Sequence, residues 1–343
     1  MNKTSIIFTC QAESSDLCLN ELASAISGAK FILWLAAGVG LLEASGDFVS
    51  ISERLRGSRL IFTRHIFPVD HAVDISGTET LEHIHQAVGS LSGGMDADKP
   101  YSIQIRALTP GNSPLAPSDI LPAASDLLQS MGFALNIARP HSIISMLICG
   151  DVLYMGLSSP EHSLSAWPGG MRHYAKYDGQ ISRAEFKLLE ALEACGLKLD
   201  PSSALDLGAA PGGWTKVLLD IGMSVTTVDP ADLSPALAGK AGLQHHKMPA
   251  QEFFKKYGAE AGLYGVVVND MRIDIPQSAG IMLQAHDLLT DGGYAVMTFK
   301  LPPAKKLAAI NKGLELLSGK YEVILAKQLF HNRSEITVVM RKG

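Results

Sequence analysis

The second half of the chain alternates short apolar runs with helical patterns, and that alternation narrows the possible folds more than any other feature. ALDLGAA is an apolar run ending in a turn, and a helix follows near Trp214 to Ile221. SVTTVDP and GVVVNDM are two more such runs, the latter followed by helical SAGIMLQAHDLL and then by GGYAVMTFK. A helix from roughly Ala304 to Leu317 leads to YEVILAKQLF and finally to EITVVMR. Strands this short and apolar, separated by helices, predict a parallel, doubly wound α/β sheet buried on both faces. Only HNRS separates the last two strands, so they should pair antiparallel, because a parallel crossover needs far more chain.

The first half reads differently, as an α+β pattern. Two strand–helix patterns alternate loosely to about residue 90, where SLSGGMDADKP makes a Gly/Asp/Pro-rich break. YSIQIRAL is a strand, SDILPAASDLLQSMGF a helix, and SIISMLICGDVLYMGLSS a hairpin around Gly150-Asp151. SAWPGGMRHYAKYDGQ has no periodicity and reads as a connector. The expected divisions are 1–88, 89–165 and 166–343, the last being the α/β domain.

With 343 residues, 47% of them hydrophobic and 18% charged, the chain can bury a sizeable core. The longest apolar run, Phe31 to Leu42, is too short to span a bilayer and is closed by Glu43. MNKTSIIFTC lacks a secretory h-region and cleavage site, so a cytoplasmic protein is expected, with no membrane partner. Cys10, Cys18, Cys149 and Cys195 make neither metal-ligand spacing nor a disulfide framework, and read as reduced thiols. His65, His71, His83 and His85 make no metal pattern either. A net charge of -5 argues against nonspecific coating of nucleic acid, which depends on neutralising phosphates. That charge is uneven: residues 1–165 hold 9 Lys+Arg against 16 Asp+Glu, and residues 166–343 hold 20 against 18.

DLGAAPGGW, Asp206 to Trp214, sits at a strand-to-helix turn. Glycines there let the backbone approach a ligand, and the helix N-terminus offers unpaired N–H donors. The spacing matches neither G-x-G-x-x-G nor a P-loop. Asp206 would repel a phosphate but suits a ligand bearing an amine or a sulfonium. Asp229, ending SVTTVDP, can accept hydrogen bonds from ribose hydroxyls, as in other doubly wound nucleoside sites.

DLGAAPGGW resembles the S-adenosylmethionine-binding motif of class I methyltransferases, and its Pro-Gly-Gly-Trp form that of the FtsJ-like ribose 2'-O-methyltransferases. The resemblance implies a Rossmann-like, seven-stranded sheet with S-adenosylmethionine across the strand ends. It assigns the cofactor contacts to Asp206, Gly208, Ala210, Pro211, Gly212, Gly213, Trp214, Asp229 and Asp270. That family usually offers an acidic residue after the third strand to the adenine amine. LQHHKMPAQEFF has no clear Asp there, leaving Met248 or a backbone group for that contact.

Four charges occupy places where a buried sheet should be neutral. Asp270 ends GVVVNDM, Lys300 ends GGYAVMTFK, Glu335 opens EITVVMR, and Lys187 lies on the helix before the Gly-rich strand. Singly, each has a plain explanation: a solvated helix residue, a cap, a snorkelling lysine or an edge-strand charge. As a set and in this order, Lys187, Asp270, Lys300 and Glu335 are similar to the Lys-Asp-Lys-Glu tetrad of the FtsJ-like family, with matching flanks SRAEFKL, NDM, TFKLP and SEITVVMR. The resemblance implies 2'-O-methylation of RNA with Lys300 as general base. A lysine can take the ribose hydroxyl proton only when neutral, so its pKa must fall from about 10.4 toward neutrality. Burial, Lys187 and the sulfonium would lower it, whereas the carboxylates would raise it. None of the cysteines lies in a motif for attack at a base C5, and Asp270-Met271 is not followed by the Pro-Pro-Tyr/Phe type of sequence used at exocyclic amines.

Residues about 90–165 resemble a THUMP domain, an RNA-binding module, through YSIQIR, SDILPAASDLL, GFALNIARP and the SIISMLICGDVLYMGLSS hairpin. SRLIFTRHIFPV and VLYMGLSS with the aromatic linker look like the bacterial 23S rRNA cytidine 2'-O-methyltransferases, which place ferredoxin-like and THUMP regions before an FtsJ-like domain. The partner implied is RNA, 23S rRNA or a large-subunit precursor. Arg56, Arg59, Arg64, Arg106 and Arg139 are its phosphate-contact candidates. The same motifs also admit methylation of tRNA or another RNA, or a noncatalytic RNA-binding assembly factor, although such a binder has no need of both lysines.

Overall fold

The computed structural model describes residues 3–77, 79–108, 113–258 and 262–343. Its contacts divide the chain into two units, Met1–Arg172 and His173–Gly343. Among the described residues, no helix is long and apolar enough to cross a membrane.

Unit 1 is α+β. Strand β1 (Lys3–Thr9) is followed by α1 (Ser15–Ala25), β2 (Lys30–Ala36), β3 (Val39–Ser45), α2 (Phe48–Arg56) and β4 (His65–Pro68). These strands form a sheet in the order β2-β3-β1-β4. Next come β5 (His71–Asp74), α3 (Thr80–Ser92), β6 (Tyr101–Ala107), α4 (Pro117–Ser130), β7 (Ser142–Cys149) and β8 (Val152–Ser158). They build a second sheet in the order β5-β8-β7-β6. Ile84 and Val88 of α3 and Ile120 and Leu128 of α4 bury themselves with Ile144, Met146 and Leu153 of that sheet. The expected hairpin is there, β7 and β8 pairing antiparallel around Gly150, whose φ of +58° suits a residue without Cβ. The second sheet takes its edge strand from residues 71–74, upstream of SLSGGMDADKP. That break begins in the last turn of α3, which ends at Ser92.

Two arginines expected to face phosphate turn inward instead. Arg64 is 7% exposed and donates from Nη2 to Gln11 Oε1 at 2.6 Å. Arg106 is half-buried, with Nη1 where a Cβ at Gly169 would lie only 1.7 Å away. Both lie near sheet strands, where the long aliphatic stem gains by burial. Arg56 is exposed and paired with Glu161 at 2.8 Å, while Arg59 and Arg139 stay exposed.

Unit 2 opens with α5 (Ala184–Ala194), β9 (Ser203–Leu207), α6 (Gly213–Asp220), β10 (Ser224–Val228), β11 (Leu243–His246) and α7 (Ala250–Tyr257). It continues with β12 (Tyr264–Asn269), α8 (Ile275–Ala285), β13 (Leu289–Lys300), α9 (Lys306–Ser318), β14 (Tyr321–Lys327) and β15 (Glu335–Lys342). Its seven-stranded sheet runs β11-β10-β9-β12-β13-β15-β14. The first five strands are parallel, and β15 runs antiparallel to both β13 and β14, as the four-residue HNRS link requires. Val266 and Val268 of β12, Val296 of β13 and Val339 of β15 pack under Leu188, Ala191, Trp214 and Leu218 of α5 and α6. Strand order reverses between β9 and β12, and such a switch point opens a crevice beyond the strands' carboxyl ends.

Candidate active site

The switch point determines which residues meet. β9 ends at Leu207 and the chain turns through Gly208, whose φ is +74°, beneath Met271. A Cβ on Gly208 would lie 2.2 Å from Met271 Cγ. Gly212, with φ +105°, precedes α6, and a Cβ there would meet Leu237 Cδ1 at 2.3 Å. Gly213 opens α6 with no room for a Cβ, which would come within 2.3 Å of Ser182 Oγ. These positions need glycine for backbone shape or for close approach. The result is an open chamber of about 1040 Å³, lined by Asp206, Gly208, Asp229, Asp270, Lys187, Lys300 and Glu335 among others. A second lobe of about 500 Å³ shares Gly208, Asp229 and Met271 with it and adds Pro249, Ala250 and Gln251.

Each acidic residue is held differently. Asp206 is 2% exposed and accepts the Thr215 hydroxyl at 2.6 Å. Burial pushes its carboxyl up to about 7 against that hydrogen bond, and the charges of Asp270 and Asp229 push the same way. Asp229 accepts Ala210 N–H at 3.1 Å on Oδ2 and Ala231 N–H at 2.7 Å on Oδ1, leaving other lone pairs for a ligand. Ala210 and Pro211 therefore shape the turn that Asp229 braces, and both line the chamber. Trp214 lines it too, but is 3% exposed and donates its Nε1–H to Ala184 O at 2.7 Å. Its indole thereby ties α6 to the start of α5, the helix that carries Lys187.

The four odd charges form one cluster. Lys300 pairs in register with Glu335 because β15 runs back along β13, so the end of one strand meets the start of the other. Lys300 Nζ donates to Asp270 Oδ1 at 2.6 Å, to Thr298 Oγ1 at 2.8 Å, and to Glu335 Oε2. Lys187 Nζ reaches Asp270 Oδ2 at 3.0 Å and Glu335 Oε1 at 2.6 Å. Two ammonium groups thus share two carboxylates. Burial would raise Asp270, but the Lys300 and Lys187 charges and the hydrogen bonds from Lys300 and Thr298 overcome it and hold the carboxyl below its usual value.

Three supporting residues were not singled out from the sequence. Thr298 donates to Asp270 Oδ1 at 2.6 Å while accepting from Lys300. Its position two before Lys300, on the same strand face, was the available signal. Buried Asn269 donates to Ser278 Oγ at 3.2 Å and accepts Met271 N–H at 3.0 Å, fixing the turn that presents Asp270. Glu190, also buried, accepts the N–H groups of Phe330 and His331 at 2.8 and 2.9 Å and meets His331 Nδ1 at 2.8 Å. It anchors the β14–β15 link that leads into Glu335. No local pattern announces a contact between residues 141 positions apart.

The donor set suits the cofactor in shape and in charge. Gly208 leaves a cradle that a Cβ would fill, and Asp206 and Asp229 give it an acidic lining suited to a cationic nucleoside. The residues fit S-adenosylmethionine. Met248 is not among those lining either lobe; where an adenine-binding side chain was in question, the structure offers Pro249, Ala250 and Gln251.

This strand order, with the glycine cradle at its switch point, defines a Rossmann-like class I methyltransferase fold, preceded by a separate α+β region. Residues 180–281 of unit 2 match the FtsJ-like methyltransferase family model. The chain is 32% identical over 184 residues to "Ribosomal RNA large subunit methyltransferase M" of Halorhodospira halophila, covering 51% of each protein. It is 28% identical over 227 residues to the protein of the same name from Azotobacter vinelandii, covering 61% of each. The match therefore spans about half to three fifths of those relatives' length.

Proposed function

We propose that this chain is an S-adenosylmethionine-dependent RNA ribose 2'-O-methyltransferase acting on 23S rRNA or a large-subunit precursor, with Lys300 as general base. The observation that carries the reading is the charge-balanced cluster of Lys187, Asp270, Lys300 and Glu335 in the same chamber as the Asp206–Gly208–Asp229 cradle. The named relatives support the choice of large-subunit ribosomal RNA.

When bound, S-adenosylmethionine supplies an electrophilic methyl group and one positive charge. Asp206, Gly208 and Asp229, with the Ala210–Trp214 turn and Asp270, would hold it. The chain's own residues do the rest. Asp270 and Thr298 aim Lys300 Nζ, whose side chain is 23% exposed, at the chamber. Lys187, at 16% exposure, holds both carboxylates from the other side. A lysine can act as the base only in its neutral form. Neutral Lys300 then takes the proton of the ribose 2'-hydroxyl, while Asp270 and Glu335 orient it. Much of the remaining barrier is alignment, supplied by fixed groups on strand ends. The THUMP resemblance makes the second sheet of unit 1 the auxiliary RNA-contacting region.

The test is transfer of labelled methyl to total RNA lacking this modification, by wild type and Lys300→Ala, followed by fractionation and digestion to nucleosides. Label is expected in a 2'-O-methylnucleoside of large-subunit rRNA with wild type and absent with the variant, whose cofactor binding stays near normal. Normal turnover by Lys300→Ala would reject the base assignment. Label confined to tRNA would reject the substrate. No label in any RNA, despite cofactor binding, would favour the noncatalytic reading.

A further inference from the structure

The catalytic chamber's charge balance points to a feature outside the tetrad. Its lining includes the cations Arg183, Lys187, Arg272, Lys300 and Arg333, and the acids Asp206, Asp229, Asp270, Asp274 and Glu335. The two lysines are consumed by Asp270 and Glu335, so they offer no net charge to an approaching polyanion. Asp206 and Asp229 face the cofactor cradle. Attraction for phosphate must therefore come from the three arginines.

These arginines come from three separate places: the residue before α5, the loop after β12 and the link into β15. All three are exposed and all line the chamber. Among the described residues none has a side-chain hydrogen bond or an ion pair; Arg183 precedes α5 without capping it, and Arg333 is engaged only through its carbonyl oxygen. The nearby carboxylate of Asp274 caps α8 by accepting Gln277 N–H at 2.8 Å. Three unneutralised guanidinium groups around one mouth, in a chain of net charge -5, are placed for an anion from outside. Guanidinium forks match phosphate oxygens in pairs and keep their charge at any working pH.

We propose that Arg183, Arg272 and Arg333 form a phosphate-binding rim that seats single-stranded RNA on either side of the target ribose. This rests on the RNA-methylating reading above. The rim grips the backbone, which carries no sequence information, and so sets register of the 2'-hydroxyl against Lys300 rather than choice of base. It adds phosphate contacts in unit 2 to those expected of the exposed arginines of unit 1.

The experiment is binding of a short single-stranded RNA to the full chain by fluorescence anisotropy over a range of salt. Each lost phosphate contact should lower the slope of log K against log salt by about 0.7, so Arg183→Gln/Arg272→Gln/Arg333→Gln should lower it by about 2. Calorimetric titration with S-adenosylmethionine, unchanged in that variant, shows that the chamber is folded. If the triple variant does not fold, each single variant should lose about 0.7 in slope. The triple lysine variant should recover the slope but not the wild-type KM, because point charges replace forks. An unchanged slope in the glutamine variants overturns the rim, as does a wild type that binds no single-stranded RNA. Lys300→Ala should keep the full slope. Slope loss without any methyl transfer would sustain the rim and sink the transferase reading, and transfer with an unchanged slope would do the reverse.

Discussion

Asp206→Asn isolates the energetic cost of placing a carboxylate on the chamber floor. Burial raises the folded-state pKa to about 7 from 3.8, opposed by the Thr215 hydrogen bond and assisted by Asp270 and Asp229. Between these two values the folded protein holds the proton and the unfolded chain releases it. Stability from this group is therefore fully present below about pH 4 and is lost as pH rises through about 7. The penalty works out to about 2 kcal/mol at pH 5 and about 4 kcal/mol at pH 8. Asn keeps a carbonyl oxygen for the Thr215 hydroxyl, bonded at 2.6 Å in the wild type, and does not titrate. Relative to wild type, the variant should thus gain about 2.5 kcal/mol more at pH 8 than at pH 5. Urea denaturation of both proteins at both pH values reads this double difference, in which titrating groups that do not interact with Asp206 cancel. An equal effect at the two pH values, or a larger relative loss at pH 8, would refute the argument.

Two further outcomes follow from the same geometry. Gly208→Ala forces a side chain onto a φ of +74° and sets its Cβ 2.2 Å from Met271 Cγ, so it should cost about 1–3 kcal/mol in stability and weaken S-adenosylmethionine binding at least tenfold by calorimetry. Glu190→Gln replaces a carboxylate that meets two backbone N–H groups and His331 Nδ1; melting should show a loss of about 1–3 kcal/mol, and methyl transfer should fall because the link into Glu335 loosens, with cofactor affinity unchanged.

Much of the methyltransferase fold was legible because its signals are local. The apolar runs of β9, β10, β12 and β13 are short, flanked by helices, and therefore buried on both faces whatever lies further along the chain. HNRS was too short for a crossover, which set the antiparallel end of the sheet. The glycine turn was readable for a similar reason: backbone angles near +74° and +105° restrict the residue locally. The inward course of Arg64 and Arg106 was not, because an arginine's stem and head can go opposite ways and only neighbouring strands decide between them. Nor did sequence reveal that, among the described residues, Arg183, Arg272 and Arg333 lack side-chain partners, which depends on where the carboxylates around them lie.

The sequence by itself determined most of the strand and helix alternation of unit 2, though not β11 and α7, together with the glycine cradle and the four charged residues worth testing. Tertiary structure decided how those charges combine: the β13–β15 register sets Lys300 against Glu335, the packing of α5 under Trp214 brings Lys187 to the same carboxylates, and Glu190 fixes the loop between β14 and β15. Periodicity and turn chemistry act over a few residues and can be read along the chain. An electrostatic cluster depends on distances of a few ångströms between residues up to 148 apart, from Lys187 to Glu335, and only the packed sheet fixes those.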